Sequence, residues 1–161
     1  DGAVQFHLAK GNAMAAHLVG AEGLLVVNGP DAYISADDYG LPDQVPTWNY
    51  LSVEMQGPVR RMEREGLIAL LDDLSAQEEA RLAPKPPWTR AKMDPKRFDA
   101  MLGGIIGFEM EIRALRGTAK LGQNKPEAAR MAVAEALDQR GRRAMAHGMR
   151  CAADCSTAAK D

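Results

Sequence analysis

The hydrophobic pattern changes period several times along the chain. Ile106, Phe108, Met110, Ile112 and Ala114 alternate with Gly107, Glu109, Glu111 and Arg113, the clearest half-buried strand in the sequence. Val4 to Leu8 alternates more weakly and reads as another strand. Asn12 is placed to cap a helix through Met14 to about Val19. Leu24 to Val27 is strand-like, Asn28-Gly29-Pro30-Asp31 reads as a turn, and Ala32 to Ser35 as the returning hairpin arm. Residues 36–44 read as loop. A strand from Thr47 to Gln56 follows, stopped by Gly57-Pro58, with Pro58 to Met62 as a further arm.

From about Glu63 the period becomes helical. Leu67, Leu70, Leu71 and Leu74 form one apolar stripe, and Ser75 with Glu78 has capping-box spacing, predicting a second helix to Leu82. Pro84-Lys85-Pro86-Pro87 ends it, and Asp94-Pro95 opens a short helix through Met101. Arg116-Gly117 turns the alternating strand back into Thr118 to Leu121. Asn124, with Glu127 behind it, is expected to cap a helix with the stripe Ala129, Val133, Ala136 and Leu137. Short strands in hairpins with helices between them predict an α+β, mainly β domain: an antiparallel barrel with peripheral helices. The expectation is one domain over 1–161, with the barrel to about residue 125, C-terminal helices over 126–150 and a tail from 151.

The stretch Val45-Pro46-Thr47-Trp48-Asn49-Tyr50 matters most for function. Strand alternation places Thr47, Asn49, Leu51, Val53 and Met55 on one face and Trp48, Tyr50, Ser52, Glu54 and Gln56 on the other. Leu51, Val53 and Met55 make the first face the core side. The two rings then need a cover: a helix or loop of the chain, a second subunit, or a flat ligand.

Composition narrows the classes. A net charge of -2 argues against whole-molecule attraction to nucleic acid or anionic membrane. No apolar run is long enough to span a bilayer and no signal-peptide pattern is present, so the expected location is the cytoplasm. Cys151 and Cys155 are the only cysteines, one helical turn apart, and lack the histidine or further cysteine of a metal site. The chain opens at Asp1 on what already reads as strand, which suggests a piece whose first strands are missing.

Two segments are shaped for an anion. Lys120-Leu121-Gly122-Gln123-Asn124-Lys125-Pro126 is an amide-rich turn entering a helix, with two ammonium groups beside the positive end of the dipole. His7-Leu8-Ala9-Lys10-Gly11-Asn12 has the same form. The plainer alternatives are ordinary capped helix starts with solvated lysines and a hydrogen-bonded structural histidine. No Walker or dinucleotide loop occurs, and no serine or cysteine sits in a nucleophile context. Arg140, Arg142, Arg143 and Arg150 form the one basic cluster able to meet DNA, with a solvated helix end as the alternative.

Taken in order, the His7–Asn12 motif, Tyr33-Ile34-Ser35 with Tyr39, the Val45–Tyr50 run, Pro87-Trp88 and the Lys120–Asn124 motif resemble the PaiB family of FMN-binding negative transcriptional regulators. The resemblance covers about Phe6 to Met149. It implies an FMN-binding split β-barrel of flavin-reductase type, missing its N-terminal strands, in a homodimer with FMN near the subunit interface. It further implies a cofactor-binding set of His7, Lys10, Asn12, Ser35, Tyr39, Thr47, Trp48, Asn49, Tyr50, Lys120, Gln123 and Asn124, with His7, Lys10 and Asn12 addressing the phosphate. Two other functions fit the same residues: a flavin-dependent oxidoreductase of the pyridoxamine-phosphate-oxidase-like or flavin-reductase-like class, and a cofactor-free dimeric binding module. Nothing resembles a helix-turn-helix with basic recognition residues.

Overall fold

The alternating segments pair as antiparallel strands in the computed structural model, which describes residues 2–155. The strands are β1 (Gly2–Ala9), β2 (Glu22–Ile34), β3 (Thr47–Arg61), β4 (Ile105–Ile112) and β5 (Ala114–Lys120). The helices are α1 (Arg64–Ala80), α2 (Pro95–Leu102), α3 (Glu127–Gln139) and α4 (Arg143–Cys155). Strand order is β1-β4-β3-β2, with β5 on β3, so the path is a mixed α/β arrangement that does not close among the described residues. The chain divides into two compact units: the segment up to Leu25 with Met55–Ala114, and Val26–Glu54 with Leu115 onward.

In the first unit β1 and β4 pair from Gly2↔Ile112 to Ala9↔Ile105. Val4, Phe6 and Leu8 meet Ile106, Phe108, Met110 and Val59 in one core, with the Phe6 and Phe108 rings stacked at 5.5 Å. The alternation read in β4 therefore holds. Its other face is only partly wet: a Cβ on Gly107 would sit 3.1–3.2 Å from Leu67 and Met62, so glycine is what lets the start of α1 lie against the strand. Glu109, on that face, accepts from Gln5 Nε2 at 2.8 Å and from Arg60 Nε at 3.0 Å.

Several local expectations fail, each for a tertiary reason. Gly57-Pro58 does not stop β3. A Cβ at Gly57 would lie 1.7 Å from the Glu111 carbonyl oxygen, so the glycine serves close backbone approach and the strand continues. The β3–β4 register begins at Val59, so no ladder donor is required of Pro58 there. The segment after Asn12 is a 3-10 turn, Ala13–Ala16, and not a helix to Val19; Asn12 does cap it, accepting from Met14 N at 2.9 Å. Ser75 starts no second helix: α1 runs through it unbroken, and Glu78 binds Arg81 instead of closing a capping box. Asp94 caps α2 as expected, accepting from Arg97 N at 2.9 Å with Pro95 in the first turn.

The second unit is helical on its inner side. Ala32 and Ile34 of β2, with Leu51 of β3, pack with Leu121, Ala129, Val133, Leu137, Met145 and Met149. The predicted turn at 28–31 is continuous strand. Burial along β2 falls on Gly23 and Leu25, lapses over 26–29, then resumes on Pro30, Ala32 and Ile34. The inward parity changes from odd to even, the signature of a bulge, so the turn-forming residues mark a slip of register and not a reversal. Asn124 does not cap α3. Its N-cap is Pro126, without a side-chain bond, and Lys125 N closes the preceding turn on Gly122 O at 3.0 Å. The predicted tail is helical as far as Cys155, the end of α4; residues 156–161, and the Cys155 side chain, lie outside the described residues.

Candidate functional site

The expected site residues fall into two groups, one in each unit. In the second unit, β3 alternates as read at its start. Asn49 is 1% exposed, and its Nδ2 donates to Met149 Sδ at 3.5 Å. Trp48 is 56% exposed and Tyr50 38%. Tyr33 of β2, also exposed, meets Trp48 edge-on with centroids 6.0 Å apart. Among the described residues, therefore, no helix or loop buries these rings. Val53, expected in the core with Leu51, is instead exposed.

Two ammonium groups belong to the same unit. Lys120 Nζ donates to Thr47 Oγ1 at 2.6 Å, and Lys125 Nζ donates to Gln44 Oε1 at 2.6 Å while lying 5.1 Å from the Tyr39 ring centroid. Neither has a carboxylate partner among the described residues, so both stay available to an anion. Gln123 is spent on the turn: Oε1 accepts from Leu121 N at 2.8 Å and Nε2 donates to Ala119 O at 2.7 Å. Asn124 is exposed.

Ser35 is also committed. It caps the 3-10 turn Ala36–Tyr39, accepting from Asp37 N, while Asp38 accepts in return from Ser35 N. The Asp38 side chain is 7% exposed, and Arg140 grips both its oxygens at 2.6 Å. That hydrogen-bonded guanidinium, aided by the Ser35 amide, outweighs burial and holds the carboxyl below its ordinary range. Tyr39 is buried, which raises its phenol, and the Asp38 charge adds to the effect. Asp38 thus carries no free negative charge against a nearby phosphate.

In the first unit, His7 sits opposite Gly107 in the β1–β4 register and is exposed. Lys10 N donates to Gly104 O at 2.9 Å, fixing the turn, and its side chain is in no ion pair among the described residues. Asn12 is occupied by its cap. Of this trio, His7 and Lys10 keep side chains free for a ligand.

Sequence reasoning missed Gln44, Asp38 and Arg140 as parts of this surface, and left Lys125 out of the site set. Gln44 and Lys125 are 81 residues apart and Asp38 and Arg140 102, so no local spacing could join them. The one local cue was the pair of lysines flanking Gly122-Gln123-Asn124.

The chain is 34% identical over 132 residues to the Bacillus subtilis (strain 168) PaiB protein, Protease synthase and sporulation protein PAI 2. The match takes in 81% of this chain and 62% of that protein, so the chain spans less than two thirds of the relative's length. Among solved structures, an FAD and heme binding protein from Mycobacterium smegmatis superposes with a TM-score of 0.50 at 16% identity, over 74% of this chain and 54% of that one. A flavocytochrome, Anf3, from Azotobacter vinelandii is similar over 74% of this chain and 51% of its own, at 18% identity and a TM-score of 0.46. At such identities the Mycobacterium structure speaks to the fold. The family model described as "Putative FMN-binding domain" matches residues 1–114, which include the His7–Asn12 motif and the Thr47–Tyr50 strand, and the chain belongs to that family.

Proposed function

We propose that this protein binds FMN, with the isoalloxazine against the exposed face of Trp48 and Tyr50 and the phosphate held by ammonium groups. The observation that carries the reading is the pairing of exposed rings with Lys120 and Lys125, two lysines resting on neutral acceptors. The alternative is a flavin site within the first unit, with His7 and Lys10 on its phosphate, and variants distinguish the two. FMN, when bound, supplies the redox chemistry; the protein's own residues bind, orient and exclude water. Asn49 and the Gln123-braced turn hold β3 and Lys120 in place, which makes them positioning residues.

The same reading makes the sheet a split β-barrel and the protein a homodimer. Tyr33, Trp48 and Tyr50 share the second unit with exposed Val26, Val27 and Leu115. A second copy covering them would enclose a flat cofactor. The regulatory role implied by the resemblance is assigned to an indirect effect. Arg140 is consumed by Asp38, and Arg150 by Asp138 and Glu135, leaving Arg142 and Arg143 as the only members of that basic cluster outside an ion pair among the described residues.

The test is FMN titration of the purified protein, followed by flavin fluorescence and sedimentation velocity. Saturable one-to-one uptake, weakened in Lys120→Ala/Lys125→Ala and retained in His7→Ala/Lys10→Ala, supports the lysine corner; the reverse ranking moves the phosphate to the first unit. Absence of uptake at millimolar FMN refutes the function.

A further inference from the structure

We propose that the first unit carries a second binding site, for an uncharged planar aromatic molecule bearing a hydroxyl or carbonyl group. A cavity of about 840 Å3 lies between α1, the segment 83–93 and the start of α2. A second cavity of about 300 Å3 shares Asp72, Ser75, Trp88, Arg90, Met93 and Phe98 with it and reaches His7. Both are of ligand size. Nothing in the flavin reading uses Trp88, and none of the lysines proposed for the phosphate lines either space.

The walls define the ligand. The Arg90 guanidinium lies 5.1 Å from the Phe98 ring centroid, and Asp72 holds it bidentately at 3.0 and 2.9 Å. Its plane is therefore set before any ligand arrives, which lowers the entropic cost of stacking. Trp88 is anchored through its backbone, whose N–H donates to Glu79 at 2.8 Å. Indole, phenyl and guanidinium planes together suit a flat ring system.

Charge decides the rest. Each cation lining the larger cavity has its own carboxylate: Arg64 with Asp99, Lys85 with Glu79, Arg90 with Asp72. A charged ligand would have to displace one partner of a pair, whereas a neutral one leaves all three intact. The neutral groups lining the cavities without a hydrogen-bond partner among the described residues include the Ser75 and Thr89 hydroxyls. They offer a donor and an acceptor to a ring oxygen.

The experiment is equilibrium dialysis of the purified full chain against 2-naphthol, with naphthalene and naphthalene-2-sulfonate as comparison probes. One saturable 2-naphthol per chain is expected, with the sulfonate about two- to fivefold weaker, the worth of one exposed ion pair. Ala76→Phe, which fills the larger cavity from an exposed helix position, should weaken 2-naphthol about tenfold while flavin content stays unchanged. Ser75→Ala should weaken 2-naphthol about fivefold and leave naphthalene alone, the signature of one lost hydrogen bond, and it carries the test should Ala76→Phe not fold. No saturable uptake, equal binding of the sulfonate, indifference to Ala76→Phe, or an equal loss of both probes in Ser75→Ala would each overturn the proposal. Loss of flavin and 2-naphthol together in an Ala76→Phe protein with the parent's circular dichroism would also do so, by making the cavity the flavin's own. Failure of FMN uptake with 2-naphthol binding intact would fall on the flavin reading alone.

Discussion

The cations at the two candidate sites, one in each unit, are held differently. Around the first unit's cavity, Arg64, Lys85 and Arg90 are each matched to a carboxylate: Asp99, Glu79 and Asp72. In the second, Lys120 and Lys125 rest on a threonine hydroxyl and a glutamine carbonyl. A matched ion pair presents little net field to a ligand, while an ammonium on a neutral acceptor keeps its full charge for one. The same residue types therefore suit a neutral guest in one unit and an anionic one in the other. Counting lysines and arginines would never separate them; the acceptor does.

The harshest way to break this comparison is to remove the first unit. Gly57→Ala drives a Cβ into the Glu111 carbonyl, which only a backbone shift relieves, and should cost more than about 3 kcal/mol; chemical denaturation monitored by circular dichroism measures it. Next, Lys120→Ala/Lys125→Ala should weaken FMN by roughly a hundredfold and flatten its salt dependence, since each charged bond is worth about 1.5 kcal/mol or more. Arg90→Ala should leave FMN affinity untouched in the same titration. Trp48→Ala should weaken FMN about tenfold, and Trp48→Phe should restore most of the loss.

A smaller effect tests the paired state of Asp38. Its carboxyl is held below the ordinary value, so the stabilisation is complete above that value and lost as pH falls through the folded one. Asp38→Asn should lower Tm at neutral pH by a few degrees, and the gap to the parent protein should close in strongly acidic buffer. The mildest change is Asp94→Ala, which removes one cap from α2 at a cost of about 1 kcal/mol.

The sequence was most legible where local and tertiary demands agree. The β4 alternation and the Asp94-Pro95 helix start are both in place because each residue also fits its surroundings. It misled where local chemistry had a second meaning. Asn28-Gly29-Pro30-Asp31 satisfies every rule for a turn, yet sheet pairing outweighs the preference, and Ser75 with Glu78 has cap spacing inside a helix that needs no cap. At the site, strand parity alone put Trp48 and Tyr50 on the face away from Leu51, and left open what covers them. It could not give Gln44 under Lys125, or Arg140 on Asp38, because those partners meet only after the chain has folded.

The slip in β2 sets how this strand can be edited. The segment holds one residue more than a regular ladder needs, so removing a single residue between Val26 and Gly29 would flatten the bulge and leave Ala32 and Ile34 against the helices with the Tyr33 phenol facing out. Removing two would overshoot by one, turning Tyr33 inward and throwing Ala32 and Ile34 out to water. The one-residue deletion is therefore the tolerable one.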